Sequence, residues 1–206
     1  MKIKHPGFFR PEFFIKLTVT ALILAAALGA QGCAGAARPI VPVSEALDQA
    51  RAAPEIRKHL LNGDWLVIRG TGKGDNLVST ATNMPLSHAA IYDAEHDAVI
   101  ESDAAGVHFA PLEKFIGKAQ RVLIIRPVWS SPASGREAVA RARTRLGSGY
   151  NFSGLIGLDT PGRYYCTQLV VDAYKPHMAD KPNPIPKVIA PGQMYHWGRI
   201  VYDTGP

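Results

Sequence analysis

The chain predicts an α+β domain in which an antiparallel sheet, open or closed into a partial barrel, packs against a few helices. Three observations lead there. Four short runs rich in β-branched and aromatic residues, DWLVIR (64–69), HAAIYD (88–93), DAVIES (97–102) and RVLIIR (121–126), are separated by turn formers and read as strands. The middle two flank a four-residue loop, 93–96, which is a hairpin signature. Two later segments, REAVARARTRL (136–146) and the stretch opening at Cys166, carry the helical period instead.

Taken in order, residues 1–33 have the shape of a bacterial export signal. Lys2, Lys4, Arg10 and Lys16 precede the apolar run LTVTALILAAALGA, which is shorter than the ~20 residues of a membrane-spanning helix. The end of that signal, Ala-Gln-Gly-Cys, resembles a lipoprotein signal with Cys33 as the lipidated residue; ordinary cleavage after a small residue is the alternative. Residues 34–43, AGAARPIVPV, read as a tether, and 44–206 as one domain with a core of its own. Removing the four basic residues and Glu12 of the signal leaves 19 basic and 16 acidic residues, so the net charge falls from +6 to +3. Half of the basicity belongs to the signal, and nucleic-acid binding is not expected.

Within the domain, Ser44 reads as an N-cap, with helical segments over 45–61 that break near Pro54 and stop at Asn62-Gly63. RGTGKGDN (69–76) lacks the spacing of a phosphate loop and reads as a glycine-rich loop on the rim of a cleft, part of a longer loop over 70–86. Loops 127–135 and 175–192 carry no readable specificity code. The 136–146 helix is expected to bury Val139, Ala142 and Leu146, its arginines forming a solvated face. The helix at Cys166 buries Leu169, Val170 and Ala173 and stops at Pro176. Five prolines from 176 to 191 mark a surface loop before a last strand near 199–202.

The chemistry concentrates in the hairpin and the second helix. If Tyr92 and Asp97 close the hairpin, Ile91 pairs with Ala98, Ala90 with Val99 and His88 with Glu101. An imidazole beside a carboxylate is what a general base needs, because the carboxylate sets the tautomer and stabilises the imidazolium. A cross-strand ion pair on a solvated face fits the same pattern, and Asp103 and His108 are weaker candidates for the third group. Cys166, at a helix N-terminus, gains orphan backbone N–H groups and the dipole, both of which stabilise a thiolate nucleophile. Its own N–H, with Tyr164 or Tyr165, is the expected oxyanion hole. The plainer alternatives are a buried thiol and two core aromatics. Neither HExxH nor a Cys/His cluster at zinc spacing occurs, so no metal and no organic cofactor is expected.

In this order, GDWLVIR, LSHAAIYD, VIES, YNFSGL (150–155) and YYCTQLVVDAY resemble the circularly permuted branch of the NlpC/p60 papain-like superfamily, the YiiX/YaeF-like proteins, over residues 60–175. The histidine strand precedes the cysteine helix, the reverse of the ordinary papain-like order. The resemblance implies a permuted papain-like fold and a Cys-His-Glu hydrolase, with Cys166 as nucleophile, His88 as base and Glu101 as orienting group. Glu101 stands where related lipid acyltransferases and phospholipases have a second histidine, which leans toward an amidase or peptidase. Thr167 stands where many relatives have serine. The expected function is therefore an exported, lipid-anchored cysteine hydrolase of the bacterial cell envelope. It would act on a peptide or other amide, with the cell wall as the expected source. Lipid acyl transfer, phospholipase or thioesterase activity is the first alternative, and a non-catalytic envelope binding module is the second.

Overall fold

The computed structural model describes residues 46–179 and 185–205; the expected export signal, Cys33, the tether and Ser44 lie outside them. An N-terminal helix α1 (Gln49–His59) leads to strand β1 (Trp65–Gly70), helix α2 (Lys73–Thr82), strands β2 (His88–Asp93), β3 (Ala98–Asp103) and β4 (Gly106–Pro111), helix α3 (Leu112–Gly117), strand β5 (Ala119–Pro127) and helix α4 (Pro132–Arg143). Two short strands, β6 (Gly149–Tyr150) and β7 (Arg163–Tyr164), then precede helix α5 (Cys166–Tyr174), and β8 (Gly198–Asp203) ends the described fold. The main sheet runs β4-β3-β2-β1-β5-β8 with every pair antiparallel. β6 and β7 pair in parallel beside it.

Both faces of the sheet are covered, which is why WLVI in β1 is continuously apolar instead of alternating. One face packs Trp65, Val67, Ala89, Ile91 and Ile100 against Val139 and Ala142 of α4 and Leu169 and Val170 of α5. The other packs Leu66, Ile68, Ala90, Tyr92 and Val99 against Ile56 of α1 and Phe115 of α3. At ~25 cal/mol per Å² of apolar surface, these two buried layers are the main source of stability.

The α+β class holds, and several local expectations are corrected. Pro54 lies inside α1 without breaking it, because it sits on the exposed side and leaves the Ala50 carbonyl to water. The loop expected over 70–86 contains α2. Its apolar content is low because it is anchored by polar contacts: Arg69 reaches Ser79 and Asn76 at 2.7 and 2.6 Å, and Gly72 N–H donates to Asp75. α4 starts four residues early, capped by Ser131 with Pro132 in its first turn, and Leu146 falls beyond its end, 38% exposed. β4 and α3 were not anticipated.

The hairpin turn also moves by one residue. Asp93 stays in β2 because its fully buried carboxylate is gripped by Arg143 at 2.6 and 2.7 Å. Asp97 turns into the left-handed region, φ 45°, where its carboxylate meets Arg57 and the Tyr92 hydroxyl. Asp93 and Ala98 therefore close the hairpin, and Ala90 pairs with Glu101 instead of Val99. A pairing shift of two residues preserves the faces, so His88 and Glu101 remain on one side as diagonal neighbours.

The Gly63-Asp64 pair that opens β1 is a structural clamp. Asp64 is fully buried and receives Arg126 at 2.8 and 3.0 Å and Leu61 N–H at 2.8 Å. Gly63 has φ 90°, and its carbonyl accepts from the Tyr174 hydroxyl at the end of α5. A Cβ at Gly63 would stand 2.5 Å from that hydroxyl and 2.8 Å from Gly135 Cα. Gly63→Ala is expected to lower stability by roughly 2 kcal/mol or more, read as a fall in the midpoint of urea unfolding.

Candidate active site

His88 is the first residue of β2, and its entry is fixed by Ser87. The buried Ser87 hydroxyl accepts Gly70 N–H at 2.9 Å and lies 2.7 Å from Asp75 Oδ1. Its N–H donates to Ile68 C=O at 2.8 Å. The His88 ring lies 5.9 Å from the Phe115 ring on the α3 side of the sheet. Across β3, His88 Nε2 meets Glu101 Oε2 at 2.6 Å, with side chains 12% and 2% exposed.

Glu101 has further partners. Lys118, just after α3, donates to both carboxylate oxygens at 2.6 and 2.8 Å. His108 faces it in the register of β4, its Nε2 3.6 Å from Oε1. Burial pushes the Glu101 carboxyl up, but His88 and Lys118 outweigh it and hold the group down to about 2. Burial pushes His88 down, and the hydrogen bonds and charges of Cys166 and Glu101 outweigh it, lifting the ring to about 10. With Nε2 engaged by Glu101, Nδ1 is the nitrogen left for Cys166.

Cys166 is a free thiol, 7% exposed, at the first position of α5. Leu169 N–H is bonded to Tyr165 C=O, so the amides of Cys166, Thr167 and Gln168 are the orphan donors of the helix start. Four hydrogen bonds place this start. Ser102, beside Glu101 on β3, donates to Tyr164 C=O at 2.6 Å. Gln168 Oε1 accepts Tyr165 N–H at 3.3 Å and Asn151 Nδ2–H at 3.1 Å. Thr167 donates to Ile189 C=O at 2.6 Å.

His88 of β2 and Glu101 of β3 are thus in direct contact, and Cys166 at the start of α5 acts on the His88 ring as a hydrogen-bond and charge partner. Of the two tyrosines expected near an oxyanion, Tyr165 has its hydroxyl engaged elsewhere. Tyr165 is 2% exposed, its hydroxyl donating to Lys187 C=O and accepting from Ile189 N–H. The Tyr164 ring packs against the Arg145 guanidinium, 5.4 Å away. Burial, and after it the charge of Cys166, raises the phenol of Tyr150; Tyr165 is raised by burial and feels the same charge. Sequence reasoning did not single out Tyr150 or Lys118. Tyr150 begins YNFSGL, the motif quoted above, but Lys118 had no signal, since it reaches Glu101 only through the fold.

Among the described residues, two groups of three metal-ligand side chains lie within 4.8 Å: Asp93, Glu95 and His96, and Glu101, Asp103 and His108. Each already contains a cation, Arg143 on Asp93 and Glu95, and Lys118 on Glu101.

A depressed carboxylate binds fewer protons folded than unfolded, so its stabilisation is present above the ordinary value of 4.5 and is lost as pH falls toward 2. The stability lead of the wild type over Glu101→Gln, on the order of 2–3 kcal/mol near neutrality, is expected to shrink through that window. Urea unfolding of both proteins in pH steps measures it. His88 acts in the opposite sense: its contribution, present below 6.5, is lost as pH rises toward about 10.

The family described as permuted papain-like amidase enzyme, YaeF/YiiX, C92 family, matches residues 63–185. No curated protein sequence matches the chain. Among solved structures, one described as metalloprotein yiiX from Escherichia coli O157:H7 is similar with a TM-score of 0.55 at 18% identity, covering 71% of this chain and 97% of that one. At that identity the likeness speaks for the fold alone. With its histidine strand ahead of its cysteine helix and a family match over more than half its length, the chain belongs to the permuted papain-like amidases of the YaeF/YiiX branch.

Proposed function

We propose that this domain is an exported cysteine hydrolase that cleaves an amide bond of a peptide or related envelope substrate. The observation that carries this is the position of His88, bonded to Glu101 at 2.6 Å on one side and interacting with Cys166, at the start of α5, on the other. An imidazolium and a helix N-terminus both favour the thiolate. That thiolate attacks the amide carbon, forming a C–S bond while the carbonyl electrons move to oxygen. The Cys166 N–H and the Tyr150 hydroxyl are our choice of donors to that oxyanion. His88 Nδ1–H protonates the leaving nitrogen as the C–N bond breaks. His88 then takes a proton from water, whose oxygen attacks the thioester and releases the acid and the thiolate. Glu101 holds the ring through both proton transfers, and Lys118 holds Glu101.

Export and a lipid anchor at Cys33 follow from the N-terminal sequence and belong to this proposal, as does a cell-wall origin of the substrate. A thiol nucleophile needs no metal. A cation seated among Glu101, Asp103 and His108 would instead compete with Lys118 for the carboxylate that orients His88.

The first test is alkylation of Cys166 by iodoacetamide, followed on the Cys166 peptide by mass spectrometry across pH. At pH 6 to 7 the wild type is expected to react at least tenfold faster than His88→Ala. A thiol that stays inert until the protein unfolds would sink the mechanism. In a screen of amide substrates Cys166→Ala is expected to lose all turnover with its unfolding midpoint unchanged, whereas EDTA is expected to leave the wild-type rate unaltered.

A further inference from the structure

The turn before β1, the β2–β3 turn, the β5–α4 connection and one face of α4 border a cavity of about 560 Å³, within the range of small-molecule sites. It lies at the end of the sheet away from His88. Ala94 and Glu95 line it, six and seven residues further along β2 and its turn, which is roughly 20 Å at the rise of a strand.

Its walls are tied to one another. Asn62 Oδ1 accepts Ala94 N–H at 2.9 Å, joining the two turns. A Cβ on Gly135 would stand 2.3 Å from the Asn62 carbonyl oxygen, so α4 meets that turn backbone to backbone. Three arginines line the space: Arg126 from β5, and Arg136 and Arg143 from α4. Arg126 is held on Asp64, and Arg143 on Asp93, each through Nε and Nη2. Among the described residues, the Nη1 groups of both are left without a partner.

The charges of the cavity do not close on themselves. The buried carboxylates of Asp64 and Asp93 balance Arg126 and Arg143. Arg136 is exposed and makes no hydrogen bond or ion pair among the described residues. Glu95 is the remaining anion: its carboxylate reaches Arg143 Nη2 at 2.6 Å while its side chain is 71% exposed. The chain thus already seats a carboxylate on this guanidinium, and a pair so exposed to water is weakly held and readily displaced. A planar guanidinium matches a carboxylate through two parallel hydrogen bonds. Leu61, Val139 and Ala140 line the same space, and a bare ion would leave them in water, whereas an organic acid covers them.

We propose that this cavity binds a small organic acid, one carboxylate carried on a compact apolar body. Arg136 is its principal cation, and Glu95 is the chain's own competitor for Arg143. The site stands independently of the cysteine-hydrolase reading, since it uses none of Cys166, His88 and Glu101.

The test titrates benzoate, benzamide and inorganic phosphate into the full chain at low ionic strength and follows the heat of binding. Benzoate is expected to bind with a Kd of roughly 1 mM or below, and benzamide and phosphate about tenfold more weakly. Arg136→Gln, at an exposed and unpartnered residue, is expected to weaken benzoate about tenfold. Glu95→Gln is expected to strengthen it, because the competing carboxylate is gone. Lys73→Gln, which removes an exposed cation on α2 outside the cavity, is expected to leave it unchanged. No heat with benzoate overturns the site, as does benzamide binding equally well, because the carboxylate then has no role. Phosphate binding as tightly as benzoate overturns the organic-acid assignment in favour of a plain anion site. An unchanged affinity in Arg136→Gln, or an equal loss in Lys73→Gln, overturns the placement in this cavity.

Discussion

A carboxylate that is 2% exposed has to be compensated by its neighbours, and Glu101 is compensated from two strands and a helix end. His88 comes from β2, Lys118 from the turn after α3, and His108 from β4. Removing one partner of such a cluster leaves a buried charge unbalanced, which costs more than the contact itself is worth. The layout of the sheet around β3 is therefore tied to the proposed chemistry: the contacts that make Glu101 tolerable also hold the His88 ring in one orientation. Its Nδ1 is then free for Cys166.

The same strand aligns Cys166. Ser102, next in sequence to Glu101, points to the other face and bonds Tyr164 C=O just before α5. Adjacent residues of β3 thus address His88 on one side of the sheet and the cysteine helix on the other. The far end of α5 is held by Tyr174 on Gly63, and its start by the Asn151-Gln168-Tyr165 contacts. Chain order is irrelevant to this assembly, since each group is set by its neighbours in space. A permuted papain-like order consequently reaches a Cys-His-acid arrangement as readily as the ordinary one.

Much of this was legible because it rests on short-range rules. β2 was bounded correctly by its own residues, β1 and β5 within a few positions, and α5 begins at the expected Cys166 with the expected Leu169, Val170 and Ala173 buried. The pairing of His88 with Glu101 was anticipated through a register that proved two residues off. The contact survived because an even shift keeps side chains on the same face. Elements held by polar contacts were hidden: α2 depends on Arg69, Asp75 and Ser79 and carries no apolar stripe. The turn position was hidden for a related reason, since Asp93 remains in the strand only through Arg143, 50 residues away.

The sequence by itself determined the residue types and their two periodicities, 2.0 in the strands and 3.6 in the helices. Those suffice to name an α+β chain with a histidine and a glutamate on one sheet face and a cysteine at a helix start. Only the tertiary structure decided that Lys118 closes on Glu101 and that Phe152 and Ile156 face outward. The reason is physical. Periodicity fixes a side chain's direction relative to its own element. Charge compensation and exposure are set by groups distant in sequence, which meet only when the layers pack.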